Sequence, residues 1–373
     1  MKPSVCLILS FHDRAVQYEW FIEKALEQQM KLHFIFLNPE QWHIERYVRH
    51  RKIPCLFIKY NSKKDIPRAT ALIYQYLFKN KIDIVHTHLF DANISGLTAA
   101  WLARVKKRIY TRHHSDFHHR FHQGAVKYDR YCNRLATDIV AISKNVEEIL
   151  INTEQVKKSK VHLIHHGFEL DAFKNVNTEE VEQLRVKYNL KDNHPVVGMI
   201  SRYEKGKGIQ HVIPAFQKLL KEYPNAVLVL ANSHGSYARE IKAMLKQLPD
   251  HSYREIRFEY NLFALYKLFD VFVHVPEYAE YEAFGQVYVE ALAAGVPSVF
   301  TLSGIALEFI EDRKNALVCK YGDSSDIYNA LSEILSDSSL RELIISEGRK
   351  SIAHKFSMNL YFRKLLNLYN YTD

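Results

Sequence analysis

Short runs of branched apolar residues alternate along the chain with longer stretches in which apolar positions recur at the helical period. This alternation is typical of parallel sheets that are covered by helices on both faces. In the first half the pattern predicts strands at 5–9, 32–37, 84–88, 108–111, 139–142 and 161–164. Helices are predicted between the early strands, at 17–28, 68–79 and 93–104.

The same pattern begins again in the second half of the chain. It predicts strands at 196–200, 226–231, 256–259, 271–275 and 298–301, with helices between most of them. The polar stretch 174–194 contains the join, although 179–188 within it also has a helical pattern. The sequence therefore predicts an α/β fold with two doubly wound, Rossmann-like domains.

Length and composition agree with two domains. The 373 residues exceed the usual size of a single hydrophobic core, and 47% hydrophobic against 25% charged residues indicates a globular protein. The opening apolar run is short and ends at His12, Asp13 and Arg14, so we interpret it as the first strand rather than a secretion signal. No stretch approaches the ~20 apolar residues that span a bilayer.

The cysteines favour a reducing compartment. Cys6, Cys55, Cys132 and Cys319 are scattered and form no CxxC pair, which argues against a disulfide framework and against a structural zinc site. We therefore expect a cytoplasmic protein, either soluble or peripheral at the cytoplasmic face of the membrane.

The net charge of +9 is unevenly distributed, with +11 in residues 1–174 and −2 in residues 175–373. A basic half suggests an anionic partner, which could be a phosphorylated acceptor, an acidic membrane surface or nucleic acid. Aromatic residues interleaved with basic ones at 42–47 and 127–131 fit a lipid-linked acceptor at an anionic membrane face. The alternatives are a merely solvated basic surface and aromatics that belong to the core.

Ligands of open parallel sheets bind beyond the carboxyl ends of the strands, so the loops after the strands carry the candidate site. The loop 201–208 reads S-R-Y-E-K-G-K-G and leads into a helix that begins near Ile209. Arg202 and Lys207 flank a glycine turn there, and together with helix amides they can bind phosphate oxygens. Taken alone, the loop is more typical of a solvated basic turn.

The segment 282–297 reads E-A-F-G-Q-V-Y-V-E-A-L-A-A-G-V-P and is more specific. Glu282 precedes a predicted helix and Glu290 lies within it, so the two carboxylates can accept hydrogen bonds from hydroxyls on either side of a diphosphate. Between them, the amides of Phe284, Gly285 and Gln286 open the helix and can receive phosphate.

This segment resembles the Glu-x7-Glu signature of retaining family-4 glycosyltransferases of the GT-B fold. The R-Y-E-K-G-K-G loop supports the resemblance, as do V-H-T-H near Val85, Y-T-R-H-H near Tyr110, A-I-S-K-N-V near Ala141 and H-G-F-E-L-D-A-F from His166, all in the order of the family. The resemblance implies two Rossmann-like domains facing across a cleft, and the polar join places them at 1–180 and 181–355. It also implies a C-terminal helix at 356–373 that crosses back to the first domain.

The resemblance also implies roles for individual residues. Arg202 and Lys207 would hold the donor diphosphate, Glu290 the ribose and Glu282 the donor sugar. The amides of Phe284, Gly285 and Gln286 would contact phosphate. The reaction would transfer a sugar from a nucleoside diphosphate sugar to a saccharide or lipid-linked acceptor with retention, in the synthesis of a cell-surface polysaccharide, a lipopolysaccharide or a glycolipid.

A third loop, 111–114, follows a strand of the first domain. The resemblance favours His113 as the catalytic residue near the transferred sugar, with His114 as the rival on the acceptor side, where His12 is a further candidate. The cluster His86, His88, His113, His114, His118, His119 and His122 also permits a metal. Asp116 is the one carboxylate near it in sequence, so we expect neither a metal nor another cofactor.

Departures from the family pattern leave alternatives open. The loop 10–14 lacks the usual glycine pair, and His166 stands where Asn is frequent. Rival functions are an epimerase or phosphorylase of the same fold, a sugar-binding protein without turnover, and a basic nucleic-acid-binding protein. No nucleic-acid-binding motif is found, so a nucleic-acid partner is not expected.

Overall fold

The computed structural model describes residues 2–11, 16–191 and 193–371. The chain divides into two compact units. Unit 1 comprises Met1–Phe168 together with Met358–Asp373, and unit 2 comprises Glu169–Ser357.

Unit 1 contains a seven-stranded sheet in which neighbouring strands run parallel. The strands are β1 (Ser4–Ser10), β2 (Lys31–Asn38), β3 (Cys55–Lys59), β4 (Ile84–His88), β5 (Lys107–Arg112), β6 (Asp138–Ala141) and β7 (Val161–Leu163). Their order is β3-β2-β1-β4-β5-β6-β7. The strand order reverses between β1 and β4, which is the switch point of a doubly wound fold.

Helices cover both faces of this sheet. They are α1 (Val16–Glu27), α2 (His43–His50), α3 (Ile66–Lys79), α4 (Phe90–Leu102), α5 (Phe117–Phe121), α6 (Val126–Leu135) and α7 (Lys144–Glu148). Successive residues of β1 point to opposite faces: Leu7 and Leu9 belong to one buried core, and Cys6 and Ile8 belong to a second. This two-sided burial explains the nearly continuous apolar runs of the central strands.

Unit 2 repeats the architecture with a six-stranded parallel sheet in the order β10-β9-β8-β11-β12-β13. The strands are β8 (Val196–Ile200), β9 (Val227–Ala231), β10 (Tyr253–Ile256), β11 (Val271–His274), β12 (Ser298–Phe300) and β13 (Leu317–Val318). The helices are α8 (Leu170–Lys174), α9 (Thr178–Lys187), α10 (Ile209–Leu219), α11 (Ala238–Leu245), α12 (Leu262–Tyr266), α13 (Gln286–Ala294), α14 (Ser324–Ser336) and α15 (Ser338–Ala353).

The boundary between the units lies at Phe168, not at residue 180 as the polar join suggested. The difference arises because α8 and α9, which lie around residue 180 in the chain, pack within unit 2. The buried Phe173 of α8 lies 4.8 Å, ring centroid to centroid, from Phe263. Unit 2 also extends to Ser357 rather than 355.

A last helix, α16 (Met358–Tyr369), returns to unit 1. Its buried residues Phe362, Leu365 and Leu368 belong to the same core as Leu7. The ring of Phe362 lies 5.6 Å from that of Phe21 in α1. Unit 1 is therefore built from two separate parts of the chain.

The predicted α/β fold is confirmed, with three local errors. The sequence pattern missed β3 and β13, which lie at sheet edges, and placed a strand at 256–259 where β10 ends at Ile256. β3 is mostly half-exposed, so it lacks the apolar run that marks a central strand. The apparent strand end Glu259 instead binds Lys187 and Tyr188 of the same unit.

None of the described helices is both long and apolar enough to cross a membrane. All four cysteines are free thiols, and none is paired as a disulfide. Burial raises the pKa of the Cys132 thiol to about 12, which keeps this group protonated and unreactive at neutral pH.

Candidate functional site

The candidate phosphate loop of unit 2 connects β8 to α10. Lys205–Lys207 form a single 3₁₀ turn, and α10 begins at Ile209, where the sequence predicted it. The side chain of Arg202 is exposed and that of Lys207 is partly buried. The loop therefore places two cations at the carboxyl edge of the sheet.

Tyr281 fixes this loop against the segment that precedes α13. A Cβ atom on Gly206 would lie 2.0 Å from the Tyr281 ring, so only glycine permits the close approach. The Lys207 Nζ lies 5.3 Å from the centre of the same ring, a cation–π distance. The Glu277 amide donates to the Gly206 carbonyl at 3.0 Å and closes the contact from the other side.

Glu282 is a buried carboxylate with two basic partners. Its Oε1 accepts from Lys207 Nζ at 2.5 Å and from His274 Nε2 at 3.0 Å. Burial alone would raise the pKa of Glu282, but the Lys207 charge and the His274 hydrogen bond hold it well below its usual value. Burial also lowers the pKa of His274, against the pull of Glu282. At neutral pH the site contains an ionised carboxylate, an ammonium group and a neutral imidazole.

The backbone of Glu282 is held by the segment after β12. Its amide donates to Ser303 Oγ at 3.0 Å, and that hydroxyl donates to the Ala279 carbonyl at 3.0 Å. The Ile305 amide donates to the Phe284 carbonyl at 2.9 Å. These contacts were not predicted, since nothing in the local sequence pattern marks Ser303 as a partner of a residue 21 positions away.

Gly285 sets the start of α13. Its φ of +85° lies in the left-handed region, and a Cβ there would lie 2.6 Å from the ring of Tyr288. The helix then begins at Gln286, so its positive end lies next to the Glu282 segment. The Phe284 side chain is buried and lies 5.9 Å from the ring of Phe356. Phe284 can therefore contact a ligand through its backbone.

Glu290 lies within α13 and has the opposite electrostatic character. Its side chain is buried, and Tyr266 OH donates to its Oε2 at 2.8 Å. Burial raises the pKa of Glu290 to about 7, and the Tyr266 hydrogen bond opposes this rise. A carboxyl group poised near neutrality can accept or donate hydrogen bonds, as recognition of a ribose diol requires.

The structure thus brings Lys207 into direct contact with Glu282 and places Glu290 on the helix that follows. Three further residues of this site were not predicted from the sequence: His274, Tyr281 and Tyr266. His274 could have been found, because it ends a strand whose other described residues are apolar, at the edge where ligands bind.

In unit 1, His113 belongs to a cluster of buried and half-buried imidazoles. His113 Nε2 and His88 Nδ1 are 3.1 Å apart, and the His113 ring stacks on His166 with centroids 5.6 Å apart. His86 lies beneath, bonded to Thr111 and to Tyr369 of α16. Burial lowers the pKa of His86 to about 3 and, with the charge of His165, that of His166 to about 4. Both His86 and His88 are buried.

His114 faces a different set of partners. Its Nε2 lies 3.4 Å from Asp129 Oδ1, and His118 Nδ1 lies 2.7 Å from Asp129 Oδ2. Burial, reinforced by the Arg112 charge, lowers the pKa of His114 to about 4, although Asp129 opposes this. His113 and His114, adjacent in sequence, therefore lie in separate environments.

Asp129 is a second carboxylate near the histidines, and it was not predicted from the sequence. With His114 and His118 it forms a group whose ligand atoms all lie within 4.8 Å of one another, as a metal site would require. Arg112 Nη1, however, lies 3.1 Å from Asp129 Oδ1, and the same guanidinium binds Glu154. The carboxylate of Asp129 thus already has a buried cationic partner.

One candidate cannot be placed. His12, predicted on the acceptor side, lies outside the described residues.

Two family models match the chain. The model described as "Glycosyl transferases group 1" matches residues 180–351, and the model described as "Glycosyltransferase Family 4" matches residues 21–172. The first covers the phosphate loop and both glutamates of unit 2, and the second covers the histidine cluster's main strands in unit 1. Together they span most of both units.

Several known glycosyltransferases and solved structures are similar to this chain. The capsular polysaccharide biosynthesis glycosyltransferase CapM of Staphylococcus aureus is 28% identical over 307 residues, covering 78% of this chain and 77% of CapM. The alpha-monoglucosyldiacylglycerol synthase of Acholeplasma laidlawii is 26% identical, covering 71% of each chain. The crystal structure of Anabaena HepE in complex with UDP and glucose has a TM-score of 0.84 at 19% identity, over 98% of this chain and 99% of that one. This likeness shows a shared fold.

Proposed function

Because the chain belongs to the glycosyltransferases of family 4, group 1, we propose that it transfers a sugar from a nucleoside diphosphate sugar to a saccharide or lipid-linked acceptor with retention of anomeric configuration. The observation that carries the proposal is the contact of Lys207 with the buried Glu282 at the start of α13. In this proposal Lys207 and Arg202 bind the diphosphate, Glu282 binds the donor sugar, and Glu290 binds the ribose.

Electrostatics support these roles. Negative charge develops on the leaving diphosphate as the glycosidic bond breaks, and groups that stabilise it where it forms lower the barrier. Arg202, Lys207 and the amides of Phe284, Gly285 and Gln286 supply positive charge in this part of unit 2. These groups are the basis for proposing a reaction that needs no metal ion.

Glu282 is unsuited to act as an acid, because its pKa is held far below neutrality. Its ionised oxygens are suited to accept hydrogen bonds from the hydroxyls of the donor sugar. We therefore assign it to positioning of the sugar, and we assign attack to the acceptor on the same face as the departing phosphate.

His113 is proposed as the residue of unit 1 that contacts the transferred sugar. It shares a cluster with His88 and His166, whereas His114 is engaged by the Asp129 and Arg112 network. An imidazole can hydrogen-bond a sugar hydroxyl or the developing charge. His114 is assigned to the stability of unit 1.

The relatives suggest the pathway and the location. CapM is named for capsular polysaccharide biosynthesis and the Acholeplasma enzyme for a glycolipid. We propose that this chain also acts in the synthesis of a cell-surface polysaccharide, a lipopolysaccharide or a glycolipid, at the cytoplasmic face of the membrane. The strongly basic first half fits an acceptor of that kind.

Donor specificity is tested by thermal unfolding of the full chain with UDP, GDP and ADP and with their sugar conjugates, beginning with UDP-glucose because HepE was solved with UDP and glucose. A ligand present at a hundred times its Kd adds about 2.7 kcal/mol to the free energy of unfolding. We expect one base to be clearly preferred.

Transfer is then followed with the preferred donor and membrane extract or oligosaccharide acceptors, and the anomeric configuration of the product is read by NMR. A product with the donor's configuration supports retention, whereas inversion contradicts it. If no nucleotide stabilises the protein, the donor site proposed in unit 2 is wrong. If the donor sugar is epimerised in the absence of any acceptor, the chain is an epimerase rather than a transferase.

A further inference from the structure

A cavity of about 520 Å³ opens at the edge of the unit 1 sheet where strands β1 to β4 begin. Ser4, Leu32 and Asp83 line it, and they lie at or next to the first residues of β1, β2 and β4. His88 ends β4 at the opposite edge, within the histidine cluster. The cavity, which we call the amino-edge pocket, is therefore separate from that cluster, and its volume lies in the range typical of small-molecule sites.

Basic side chains dominate the charge of the amino-edge pocket. Five of them line it: Lys2, Lys31, Arg51, Lys52 and Lys81. Asp83 is the one carboxylate among the described lining residues, and its Oδ2 already accepts from the amide of Ser4 at 2.8 Å and from the Ser4 hydroxyl at 3.0 Å. Arg51 is paired with Glu23 at 2.9 Å.

The three exposed lysines of the pocket carry charge that the protein does not neutralise. No described residue forms an ion pair with Lys31, Lys52 or Lys81. Like charges that line one concave site repel one another and concentrate a positive potential there, which attracts anions from solution. The amino-edge pocket is therefore suited to a ligand that carries several negative charges.

Compensation of helix dipoles does not account for these lysines. Helices α1, α2 and α3 all end at this edge, and a basic residue near the carboxyl end of a helix is stabilising. Each helix already has such residues in its last turn: Lys24 in α1, Arg49 and His50 in α2, and Lys79 in α3. Lys31, Lys52 and Lys81 lie beyond the helix ends.

Lys52 and Lys81 occupy equivalent positions in two loops of the pocket. Each follows the residue that caps a helix, Arg51 after α2 and Asn80 after α3. Their φ values of +56° and +49° lie in the left-handed region, where glycine is favoured. Lysine at such a position strains the backbone, so two lysines at equivalent positions of one pocket indicate a use for their side chains.

The remaining lining of the pocket is apolar or neutral. Leu26, Met30 and Ile53 provide an apolar wall. Asn80 donates from Nδ2 to the Tyr76 carbonyl at 2.8 Å, and no described residue donates to its Oδ1. An asparagine amide can pair with the edge of adenine. An apolar wall beside a neutral amide suits a nucleobase better than it suits a bare polyphosphate.

We propose that the amino-edge pocket binds a nucleoside triphosphate. Lys31, Lys52 and Lys81 bind the phosphate oxygens. The base packs on the apolar wall, and Asn80 accepts a hydrogen bond from its exocyclic amino group. The site goes beyond the proposed function and does not rest on it, because the proposed donor site lies in unit 2.

Binding is measured by isothermal titration of the full chain with its donor site saturated by the preferred nucleoside diphosphate. ATP is the probe, and adenosine and inorganic tripolyphosphate represent its two parts. If adenine is the preferred donor base, GTP and guanosine replace ATP and adenosine. We expect ATP to bind beside the saturating nucleotide, and each part alone to bind at least about tenfold more weakly, since each lacks contacts worth that factor.

Hydrogen exchange measured by mass spectrometry locates the bound ATP in the wild-type chain. Protection should rise in peptides that cover 28–33, 51–55 and 80–84, and it should not change in donor-site peptides that cover 201–208 and 282–290. Absence of ATP binding overturns the proposal, and so does protection confined to the donor-site peptides. Failure of every nucleoside diphosphate to stabilise the protein refutes the proposed function instead, and ATP is then titrated without a saturating nucleotide.

The double variant Lys52→Gly with Lys81→Gly removes two charges from the pocket at positions where glycine is favoured. Its melting temperature should stay close to that of wild type, because the relief of backbone strain offsets the greater freedom of glycine in the unfolded chain. Its affinity for ATP is expected to fall at least about tenfold, since each charge-assisted contact with phosphate is worth about that factor.

The matched control is Arg104→Gly with Lys106→Ala. Arg104 follows the cap of α4, has a φ of +57° and is exposed, but neither residue lines the pocket. This control removes the same charge from unit 1 and is expected to leave the affinity for ATP unchanged. Equal losses in the two double variants would show that ATP responds to net charge alone, and an unchanged affinity in the pocket variant would place ATP elsewhere. Either result overturns the proposal.

Discussion

At the scale of single residues, Glu282 and Glu290 show how partners decide the state of a buried carboxyl group. Burial acts on both in the same direction and would raise both pKa values. Glu282 has Lys207 and His274 as partners and stays ionised, whereas Glu290 accepts from the neutral Tyr266 hydroxyl and titrates near neutrality. The repeated glutamate of the sequence motif therefore represents two different chemical groups.

Lys207→Ala is expected to lower both stability and turnover. The change removes the ammonium partner of the buried Glu282 charge, and loss of one member of a buried ion pair costs about 3 kcal/mol. In the proposed reaction it also removes a group that stabilises the leaving diphosphate, which is worth about a hundredfold in kcat. Denaturant unfolding and steady-state transfer assays measure the two effects.

Lys205→Ala is the matched control for this prediction. Lys205 lies in the same 3₁₀ turn with an exposed side chain, and its described hydrogen bond uses only its backbone carbonyl. The Lys205→Ala substitution should leave the free energy of unfolding within about 0.5 kcal/mol of wild type. Equal losses in the two variants would contradict a specific role for Lys207.

Glu290→Gln is expected to flatten the dependence of stability on pH. The folded pKa of about 7 lies above the ordinary glutamate pKa of 4.5, so the native state holds its proton more tightly than the unfolded chain. Stability from this group is complete below about pH 4.5 and is lost as the pH rises towards 7. The loss is on the order of 3 kcal/mol.

The measurement is the free energy of unfolding between pH 5 and 8 for wild type, Glu290→Gln and the exposed control Glu240→Gln. The Glu290 variant should gain relative stability as the pH rises, and the control should follow wild type. Glu290→Gln should in addition weaken nucleotide binding if this residue holds the ribose. A variant that keeps the wild-type slope would show that Glu290 is not the titrating group.

At the scale of elements, the start of α13 is the most constrained part of the candidate site. The left-handed Gly285, the Ser303 hydroxyl and the Tyr288 ring together fix where the helix begins and where Glu282 stands. Tyr288 in turn donates to the Thr301 carbonyl at 2.9 Å, which ties the helix to the end of β12.

Gly285→Ala is expected to destabilise the protein by about 2 kcal/mol, because an alanine there is strained at φ +85° and contacts the Tyr288 ring. Nucleotide affinity should fall as well, since the helix start moves. Gly124→Ala is the control, because a Cβ at Gly124 meets no atom within 4 Å. Unchanged melting temperature and affinity in Gly285→Ala would contradict the assigned geometry.

The sequence could predict the features that neighbouring residues determine, and it could not predict contacts between residues that are distant along the chain. Central strands buried on both faces, such as β4 and β8, were predicted with the bounds that the structure has, because their apolar runs are local. The Glu282 to Glu290 segment was also predicted with its helix. The Arg112, Asp129 and Glu154 network was not, since its members are separated by long stretches of chain and meet only after folding.

At the scale of the whole molecule, the chain builds unit 2 from one continuous segment and unit 1 from two. The second segment contributes to the core of unit 1. For example, the Tyr369 hydroxyl of α16 lies 2.6 Å from His86 Nδ1. The candidate histidine cluster is thus supported by a helix that follows the whole of unit 2 in sequence.

This organisation predicts different behaviour for fragments. A fragment of residues 169–357 should fold alone and be stabilised by the preferred nucleotide, because it contains the complete second sheet and its candidate site. Residues 1–168 alone should bind hydrophobic dye and melt without cooperativity, because the partners of Phe21 and Leu7 are missing. Circular dichroism and dye fluorescence measure both.

Adding a synthetic peptide of residues 358–371 to the 1–168 fragment, or fusing the two by a flexible linker, should restore cooperative melting. A peptide with Phe362→Ser and Leu365→Ser is the control and should fail, since both side chains are buried in the shared core. Cooperative melting of residues 1–168 without any addition would contradict the prediction.

The divided construction of unit 1 also has a consequence during protein synthesis. Domains generally fold in the order in which the ribosome releases them, at about 5–20 residues per second. Here the ribosome must polymerise all of Glu169–Ser357 before Phe362 can emerge, a delay on the order of 10 to 40 s. During that time the apolar face of unit 1 on which α16 packs stays exposed, while unit 2 can already fold. A chaperone would be needed in this interval.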